Sequence, residues 1–331
     1  QFKKEYPLRQ SAYQGFYEDS AQNIWFNHMY TGTYKYADGK MKRMAAGSEL
    51  FINETSGYAG DSKWLIWILS DYGFYNYDGR EFTAFDFGKS FYCVDVVEDS
   101  EHNYFFLTWR DGFYHYNGEH FVHYSEENQF INDNVNNICE DSKGNIWIAT
   151  DKGITLFDGT SFIHYTAREG LSLINGQALM CMLDNYDNVW ISNRKEGVNV
   201  LDQNRILSIT ANQGLVQEGG RDFAVDENGD FWLNSISGIY CLKPEYNDSI
   251  LQDVRVLYVD EYNGLSGSSF AMKGVLIDSK RRMWKGNQSE VNLIDLNSFE
   301  FSEKVPEPKL IWLEINEQYY DYRNFPDSLT P

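Results

Sequence analysis

Residues Glu140–Thr166 read EDSKGNIWIATDKGITLFDGTSFIHYT, and this stretch decides the fold. Before it, the run Val135–Cys139 predicts an inner strand. Asp141 begins a D-x-x-G-N turn, because an aspartate carboxylate can accept hydrogen bonds from backbone N–H groups two or three residues on. A second strand follows at Ile146–Ala149, and its Trp147 is expected to wedge between neighbouring units.

Two further strands complete the unit. Gly153–Phe157 predicts a third strand, whose glycine supplies either a positive φ or a close backbone approach. Asp158-Gly159 is a dipeptide preferred in two-residue hairpin turns, and Phe162–Tyr165 predicts a fourth, outer strand. The stretch therefore describes a four-stranded antiparallel sheet.

The same unit recurs along the chain. An aspartate with an aromatic residue six positions later occurs seven times, at Asp19/Trp25, Asp61/Trp67, Asp99/Phe105, Asp141/Trp147, Asp184/Trp190, Asp226/Trp232 and Asp278/Trp284. The successive spacings are 42, 38, 42, 43, 42 and 52 residues. A period near 42 residues with four strands indicates propeller blades, so the predicted fold is an all-β, seven-bladed β-propeller.

The ends of the ring are less regular. The long last spacing places a polar insertion around Pro244–Asp248. The ring can close through Phe2–Tyr6 or through Phe299–Phe301, and we favour the N-terminal strand because Val291–Ile294 already supplies a third strand to the last blade. We predict a propeller over residues 1–304.

Residues 305–331 have a different pattern. Pro306 and Pro308 indicate a linker, after which apolar and polar residues alternate. We expect this segment to be a linker followed by the first strand of another domain that is mostly missing from the chain.

Composition agrees with a folded β protein and limits its partners. Hydrophobic residues make up 42% of the 331 residues and aromatic residues 17%. The net charge is −21, from 49 acidic and 28 basic residues, which disfavours nucleic-acid binding. The four cysteines, Cys93, Cys139, Cys181 and Cys241, lie in apolar runs and are interpreted as small buried side chains; disulfides are permitted but not required.

Three stretches resemble a known family. GNIWIATDKGITLFDG (144–159), ENGDFWLNSISGIYCL (227–242) and the inter-blade EGLSLING (169–176) look like two-component regulator propeller repeats. The pairs Gly170-Leu171, Gly214-Leu215 and Gly264-Leu265 fit the linker of that family. The resemblance extends to about residue 304, with degraded copies in repeats two, three and seven.

The resemblance implies a function. Such propellers form the extracytoplasmic sensor region of bacterial histidine kinases and hybrid two-component proteins, and commonly precede a three-tyrosine β-sandwich, a transmembrane helix and a kinase. It therefore implies a periplasmic, non-enzymatic domain of an inner-membrane protein, a homodimer in the full-length protein, no cofactor, and an oligosaccharide or other small-molecule ligand. The start of the three-tyrosine-like domain is expected within residues 305–331.

The ligand site is expected where the copies differ. The loops between second and third strands open near the central channel and carry aromatic, cationic and amide side chains, which suit sugars through stacking and hydrogen bonding. With one inter-blade loop, they supply the candidate residues Tyr30, Tyr72, Trp109, Arg110, Arg194, Lys195, Arg221 and Gln288. No catalytic or metal-ligating residue is assigned, because metal and nucleophile motifs are absent from the sequence. A polysaccharide lyase or hydrolase, and a purely structural dimerisation propeller, stay open as alternatives.

Overall fold

The computed structural model describes residues 13–28, 32–43, 55–63, 65–70, 73–78, 80–85, 92–172, 177–193, 197–202, 205–215, 222–235, 238–260, 265, 274–286, 291–299, 312–315 and 318–321. The chain divides into two compact units, Gln1–Ser298 and Phe299–Pro331. Within the described residues no helix has the length and apolar character needed to cross a membrane.

The first unit is a seven-bladed propeller of antiparallel sheets whose strands follow chain order from the inner to the outer edge. Blades 1 and 2 comprise β1 (Tyr13–Glu18), β2 (Ile24–His28), β3 (Gly32–Ala37), β4 (Lys40–Arg43), β5 (Thr55–Gly60), β6 (Ile66–Ser70), β7 (Gly73–Tyr77) and β8 (Phe82–Phe85). Blades 3 and 4 comprise β9 (Tyr92–Glu98), β10 (Tyr104–Trp109), β11 (Phe113–Tyr116), β12 (Phe121–Tyr124), β13 (Val135–Glu140), β14 (Ile146–Thr150), β15 (Gly153–Phe157) and β16 (Phe162–Tyr165). Blades 5 to 7 comprise β17 (Met180–Leu183), β18 (Val189–Ser192), β19 (Val198–Asp202), β20 (Arg205–Ile209), β21 (Asp222–Val225), β22 (Phe231–Asn234), β23 (Ile239–Asn247), β24 (Ile250–Val259), β25 (Val275–Ile277), β26 (Arg282–Gly286) and β27 (Val291–Asp295).

The repeated aspartate fixes the turn between the first two strands of each blade. In blade 4 the Oδ1 atom of Asp141 accepts hydrogen bonds from the backbone N–H groups of Lys143 and Asn145, at 3.0 and 2.9 Å. The indole Nε1 of Trp147 donates to Oδ2 of the same carboxylate at 3.2 Å. The other five tryptophan-containing copies repeat this indole–carboxylate bond at 2.8–3.1 Å. The six-residue step of the sequence is thus a hydrogen-bonded unit.

Contacts between neighbouring blades close the ring. At six blade interfaces the residue two before the repeated aspartate shares a hydrophobic cluster with the residue three before the next one, as Val97 does with Ile138 and Met182 with Phe223. Four serine–carboxylate contacts add hydrogen bonds between blades, in which both the backbone N–H and the hydroxyl of the serine donate: Ser62–Glu98, Ser100–Glu140, Ser142–Asp187 and Ser279–Glu18.

The last blade contacts the first directly. Ser279 donates to Glu18 at 2.7 Å from both its backbone and its hydroxyl, and the Trp284 ring lies 5.0 Å from that of Tyr36. Blade 7 has three strands among the described residues. Both segments considered for its closure, Phe2–Tyr6 and Phe299–Phe301, include residues outside the described ranges, so the choice between them stays a prediction.

The glycine before the third strand has both a positive φ and a close approach to another backbone segment. Gly112, Gly153 and Gly197 have φ values of 66°, 137° and 96°. A Cβ atom at these positions would lie 1.9–2.3 Å from a carbonyl oxygen at the end of the outer strand of the same blade. The sheet therefore requires glycine here for close approach as well as for backbone conformation.

The pairs Gly170-Leu171 and Gly214-Leu215 end short 3₁₀ turns between blades, whereas Gly264 lies outside the described residues. After Ala167–Glu169, Gly170 adopts a left-handed conformation with φ 102°, and Thr166 with Glu169 forms a capping box. The N–H of Leu171 then donates to the Thr166 carbonyl at 3.3 Å, and the Leu171 side chain is buried. The motif therefore turns the chain inward and anchors it between blades.

One sequence expectation was wrong in detail. The Asp158-Gly159 turn is a four-residue connection, because the Asp158 carboxylate accepts from the N–H groups of Thr160 and Ser161 and holds a longer loop. Asp38-Gly39 forms the expected two-residue turn, with both residues at positive φ.

The predicted polar insertion at Pro244–Asp248 mostly consists of strand residues. It lengthens the β23–β24 hairpin of blade 6, in which Leu251 is fully buried. The Tyr246 hydroxyl donates to Oδ2 of Asp184 in blade 5 at 2.6 Å. The added residues therefore lengthen the blade 6 hairpin so that Tyr246 contacts Asp184 of blade 5.

The second unit contains one antiparallel strand pair among its described residues, β28 (Trp312–Ile315) and β29 (Gln318–Asp321). Strand structure here agrees with the alternating pattern in the sequence. The predicted boundary at residue 304 lies outside the described residues, and the assignment to a three-tyrosine-like domain stays a prediction.

We expect Asp141→Asn to destabilise the propeller by about 1–2 kcal/mol at pH 7, because its amide group would oppose the Asn145 and Trp147 donors. Burial raises the pKa of the Asp141 carboxyl, but hydrogen bonds from Asn145, Lys143 and Trp147 outweigh burial and hold the pKa below its ordinary value. The stabilisation is thus present above the unfolded-state pKa and lost as pH falls through the folded-state pKa.

Urea unfolding of both proteins at pH 7 and pH 3 measures this effect. The difference should shrink at pH 3, whereas the exposed control Glu119→Gln should match the wild type at pH 7. An equal loss for Asp141→Asn at both pH values would contradict the carboxylate account.

Candidate functional site

In blades 3 to 5 the described residues between or next to the second and third strands lie beside the inter-blade linkers. Backbone hydrogen bonds join the two sets of segments at three neighbouring places, from Gly112 N to Asp133 O, from Asp151 N to Asn134 O, and from Leu179 N to Ser192 O. This face of blades 3 to 5 therefore presents both sets of variable segments together.

Blade 3 differs from blade 4 on this face. Its loop from Thr108 to Gly112 is one residue longer than the loop from Thr150 to Gly153 in blade 4. The Thr108 hydroxyl donates to Gly112 O at 2.8 Å, and the Thr150 hydroxyl makes the same bond to Gly153 O at 3.0 Å, so the base of the loop is unchanged. The extra residue is accommodated by Arg110, which has a φ of 73°. A non-glycine residue in this region is strained, which often marks a functional loop.

The longer loop exposes an aromatic and cationic cluster. Trp109 extends β10 and pairs with Tyr92 at the start of β9, and their rings lie 6.3 Å apart in an edge-to-face arrangement. Trp109 is 41% exposed and Tyr92 is 42% exposed. The Arg110 guanidinium lies over the Trp109 ring, 4.2 Å from its centroid. Tyr92, Trp109 and Arg110 are hereafter called the blade 3 cluster.

The guanidinium of Arg110 is accessible to an anion. None of the carboxylates in the described ranges forms an ion pair with it. Below the loop, Asp111 is held by other groups: the Tyr114 hydroxyl donates to its Oδ2 at 2.7 Å, and His123 Nε2 lies 3.6 Å from its Oδ1. Arg110 can therefore combine cation–π contact with a charge-assisted bond to a ligand.

Polar groups of blade 4 continue from the blade 3 cluster. Trp109 makes a backbone bridge to Asn134, whose amide donates to Asp151 Oδ2 at 2.9 Å. Asn136 donates to the other oxygen of Asp151 and to Ala178 O, both at 2.9 Å. The arrangement sets amides and a carboxylate beside exposed aromatic rings, which is the combination that binds sugar hydroxyls and C–H faces.

Three buried or half-buried histidines are poorly suited to acid–base chemistry. Burial lowers the pKa of His28, His115 and His164, favouring the neutral ring. His115 stacks on Phe105 at 4.6 Å, and His164 Nδ1 lies 3.0 Å from the Thr155 hydroxyl. His115, His123 and His164 lie on strands β11, β12 and β16.

The structure places two of the eight candidate residues. Trp109 and Arg110 are adjacent and in contact on the expected face. Tyr30, Tyr72, Arg194, Lys195, Arg221 and Gln288 lie outside the described residues, so their participation stays a prediction.

Sequence reasoning missed Tyr92, Asn134 and Asn136. The step from Asp99 to Gly112 is thirteen residues, against twelve in blade 4, but Asp19–Gly32 and Asp184–Gly197 share it, so its length alone did not single out blade 3. The added residue extends the second strand, so its partner at the start of the first strand becomes part of the site.

The comparisons with known proteins agree with this fold. The sequence model of the family described as "Two component regulator propeller" matches residues 129–152. No curated protein matches the chain significantly.

Solved structures are similar to a larger part of the chain than the family model is. The extracellular domain of hybrid two component system BT3049 from B. thetaiotaomicron is 18% identical with a TM-score of 0.76, covering 95% of this chain and 44% of that one. The corresponding domain of BT4673 from the same organism is 17% identical with a TM-score of 0.69, covering 91% and 40%. Virginiamycin B lyase from Staphylococcus aureus is 9% identical with a TM-score of 0.67, covering 88% and 97%.

The coverages and identities limit what these similarities show. The chain spans less than half the length of the two extracellular domains, and identities this low show the fold alone. The chain is therefore a seven-bladed β-propeller that carries a two-component regulator propeller repeat at residues 129–152, in agreement with the resemblance seen in its sequence.

Proposed function

We propose that this chain is the periplasmic ligand-sensing region of a two-component signalling protein, and that the blade 3 cluster binds an oligosaccharide carrying carboxylate groups. The observation that carries the proposal is the exposed Tyr92–Trp109 pair with Arg110 over the Trp109 ring. The repeat match and the fold shared with extracellular domains of hybrid two-component systems support the sensing role.

The chemistry of the cluster favours an acidic sugar. An aromatic ring that is partly exposed can stack on the apolar C–H face of a pyranose. The Arg110 fork can bind a uronate carboxylate in a bidentate manner, which a neutral sugar cannot reproduce. Asn134, Asn136 and Asp151 supply donors and acceptors for neighbouring hydroxyl groups.

Signal transfer requires a difference in affinity. A ligand changes the balance of two signalling states only if it binds one more tightly than the other. In our proposal the propeller passes that preference to a C-terminal kinase within a homodimer anchored in the inner membrane. The isolated chain is then a binding domain without catalytic activity.

A panel of acidic and neutral oligosaccharides tests sensing against catalysis. We expect calorimetry of the isolated chain to detect binding of at least one uronate-containing sugar, and mass spectrometry after prolonged incubation to find that sugar intact. The appearance of unsaturated or new reducing ends would favour a lyase or hydrolase. Failure of every sugar to bind would contradict the proposal for this domain.

A further inference from the structure

Blades 4 and 5 bring two cysteines together at their interface. Their inner strands β13 and β17 lie in contact. The backbone N–H of Cys181 donates to Asn137 Oδ1 at 2.9 Å, and the Cys181 thiol lies 3.4 Å from Asn137 Oδ1 and from the carbonyl oxygen of Trp147. Trp147 is the strand partner of Cys139, which packs against the same cluster as Cys181. Both side chains are present as thiols.

The repeat explains why these two side chains meet. Cys139 is two residues before its repeated aspartate, and Cys181 is three residues before the next one. Residues at these two positions pack together at other blade interfaces, as Ala59 with Val96, Val97 with Ile138, Met182 with Phe223 and Leu276 with Phe16. In all those pairs the contact is apolar, whereas blades 4 and 5 place a thiol on each side.

Both cysteines belong to the same hydrophobic cluster between the blades. A hydrogen bond with Cys181, followed by burial, raises the pKa of Cys139 well above its ordinary value. Cys93 and Cys241 are buried in blades 3 and 6, within other strands of the ring. The contact between Cys139 and Cys181 is therefore a property of this one interface among the described residues.

We propose that Cys139 and Cys181 form a disulfide that links blades 4 and 5 covalently when the chain meets an oxidising disulfide. The proposal concerns these thiols alone and does not depend on the ligand. In the reaction, one cysteine thiolate attacks the oxidant disulfide, and the second then attacks the mixed disulfide. One S–S bond forms in the protein, one breaks in the oxidant, and the oxidant leaves as two thiols that carry the two electrons and two protons.

The environment of the thiols sets when the bond forms. Only the thiolate attacks a disulfide, and a raised pKa keeps Cys139 protonated in the assembled interface. Oxidation is therefore expected to be faster while blades 4 and 5 are coming together than in the completed ring. Once formed, the link closes a loop of about 42 residues and restricts the unfolded chain.

Thiol counting tests the proposal. The chain is refolded with oxidised glutathione, denatured without reductant, alkylated with iodoacetamide and weighed. We expect two carbamidomethyl groups instead of the four that the reduced chain accepts, and a peptide pair joining Cys139 to Cys181 after proteolysis. Four groups after oxidation, or a link involving Cys93 or Cys241, would overturn the proposal.

Matched variants distinguish the disulfide between Cys139 and Cys181 from other effects of oxidation. Cys139→Ala and Cys181→Ala should each show no internal link, with every remaining cysteine either alkylated or carrying one glutathione, whereas Cys93→Ala should still form the link. The oxidised wild type should unfold about 5 °C higher than the reduced form, and this shift should vanish in Cys139→Ala. An equal shift in Cys139→Ala would show that the stabilisation does not come from this bond.

Discussion

Lys285→Met is expected to stabilise the propeller by about 3 kcal/mol at pH 7. Lys285 is 1% exposed on β26, and none of the acidic side chains among the described residues pairs with it. The residue seven positions after the repeated aspartate is apolar and buried in the other six blades: Phe26, Ile68, Phe106, Ile148, Ile191 and Leu233. Burial lowers the pKa of Lys285 to about 8 from 10.5.

The pH dependence identifies the cause. Below about pH 8 the folded protein bears the full cost of burying the cation, whereas between pH 8 and 10.5 the unfolded chain holds more protons and stability rises with pH. The gain from Lys285→Met should therefore fall below about 1 kcal/mol at pH 10. Urea unfolding at both pH values measures it. The control Ile148→Met occupies the same position in blade 4 and should change stability by less than about 1.5 kcal/mol.

Two results would contradict this account. A loss of stability in Lys285→Met at pH 7 would show that the ammonium group is stabilised by a contact that the described residues do not provide. A gain that is the same at pH 7 and pH 10 would indicate better packing and would exclude the charge as its origin.

The second large effect is expected at Gly153. Gly153→Ala should cost more than about 3 kcal/mol, because φ is 137° and the new Cβ would lie 2.3 Å from the carbonyl oxygen of Tyr165. The outer strand of blade 4 would have to move away. Gly159→Ala is the matched control, since Gly159 has a φ of 88° but open space around the position of a Cβ.

Thermal and urea unfolding compare the two variants. Gly159→Ala should cost only about 1 kcal/mol, the penalty of a left-handed backbone for alanine. Equal losses in the two variants would mean that backbone conformation alone matters and that the close approach to Tyr165 does not.

The fold could be predicted from the sequence because the repeated residues make their hydrogen bonds and close contacts within a single blade. Within blade 4 the carboxylate of Asp141 accepts hydrogen bonds from Asn145 and Trp147, and Gly153 allows a close backbone approach. The same spacing recurs in other copies because these contacts are made within one blade. The turn at Asp158-Gly159 differs for a local reason, because the Asp158 carboxylate accepts from the N–H groups of Thr160 and Ser161. The polar residues around Pro244 become strand because Tyr246 reaches Asp184 in another blade, and no local pattern encodes that contact.

The candidate site was predictable only in part, for the same reason. Trp109 and Arg110 were visible as departures from the repeat in a loop of known position. Tyr92 belongs to the site because β9 pairs with the extended β10, and Asn134 because blade 4 bridges to Trp109. A side chain that reaches the site only because strands or blades pair cannot be recognised as a site residue from the sequence around it.

Calorimetric titration of matched variants tests the central claim that ligand binds where the blades differ. The titrant is the uronate-containing oligosaccharide that binds the wild-type chain most tightly. Trp109→Ala and Arg110→Ala should each weaken binding at least about tenfold, by loss of stacking and of the charge-assisted bond respectively. Tyr186→Ala removes an aromatic residue that is 46% exposed on the opposite face of the ring and should leave affinity unchanged. Unchanged affinity in both site variants, or an equal loss in Tyr186→Ala, would contradict the account.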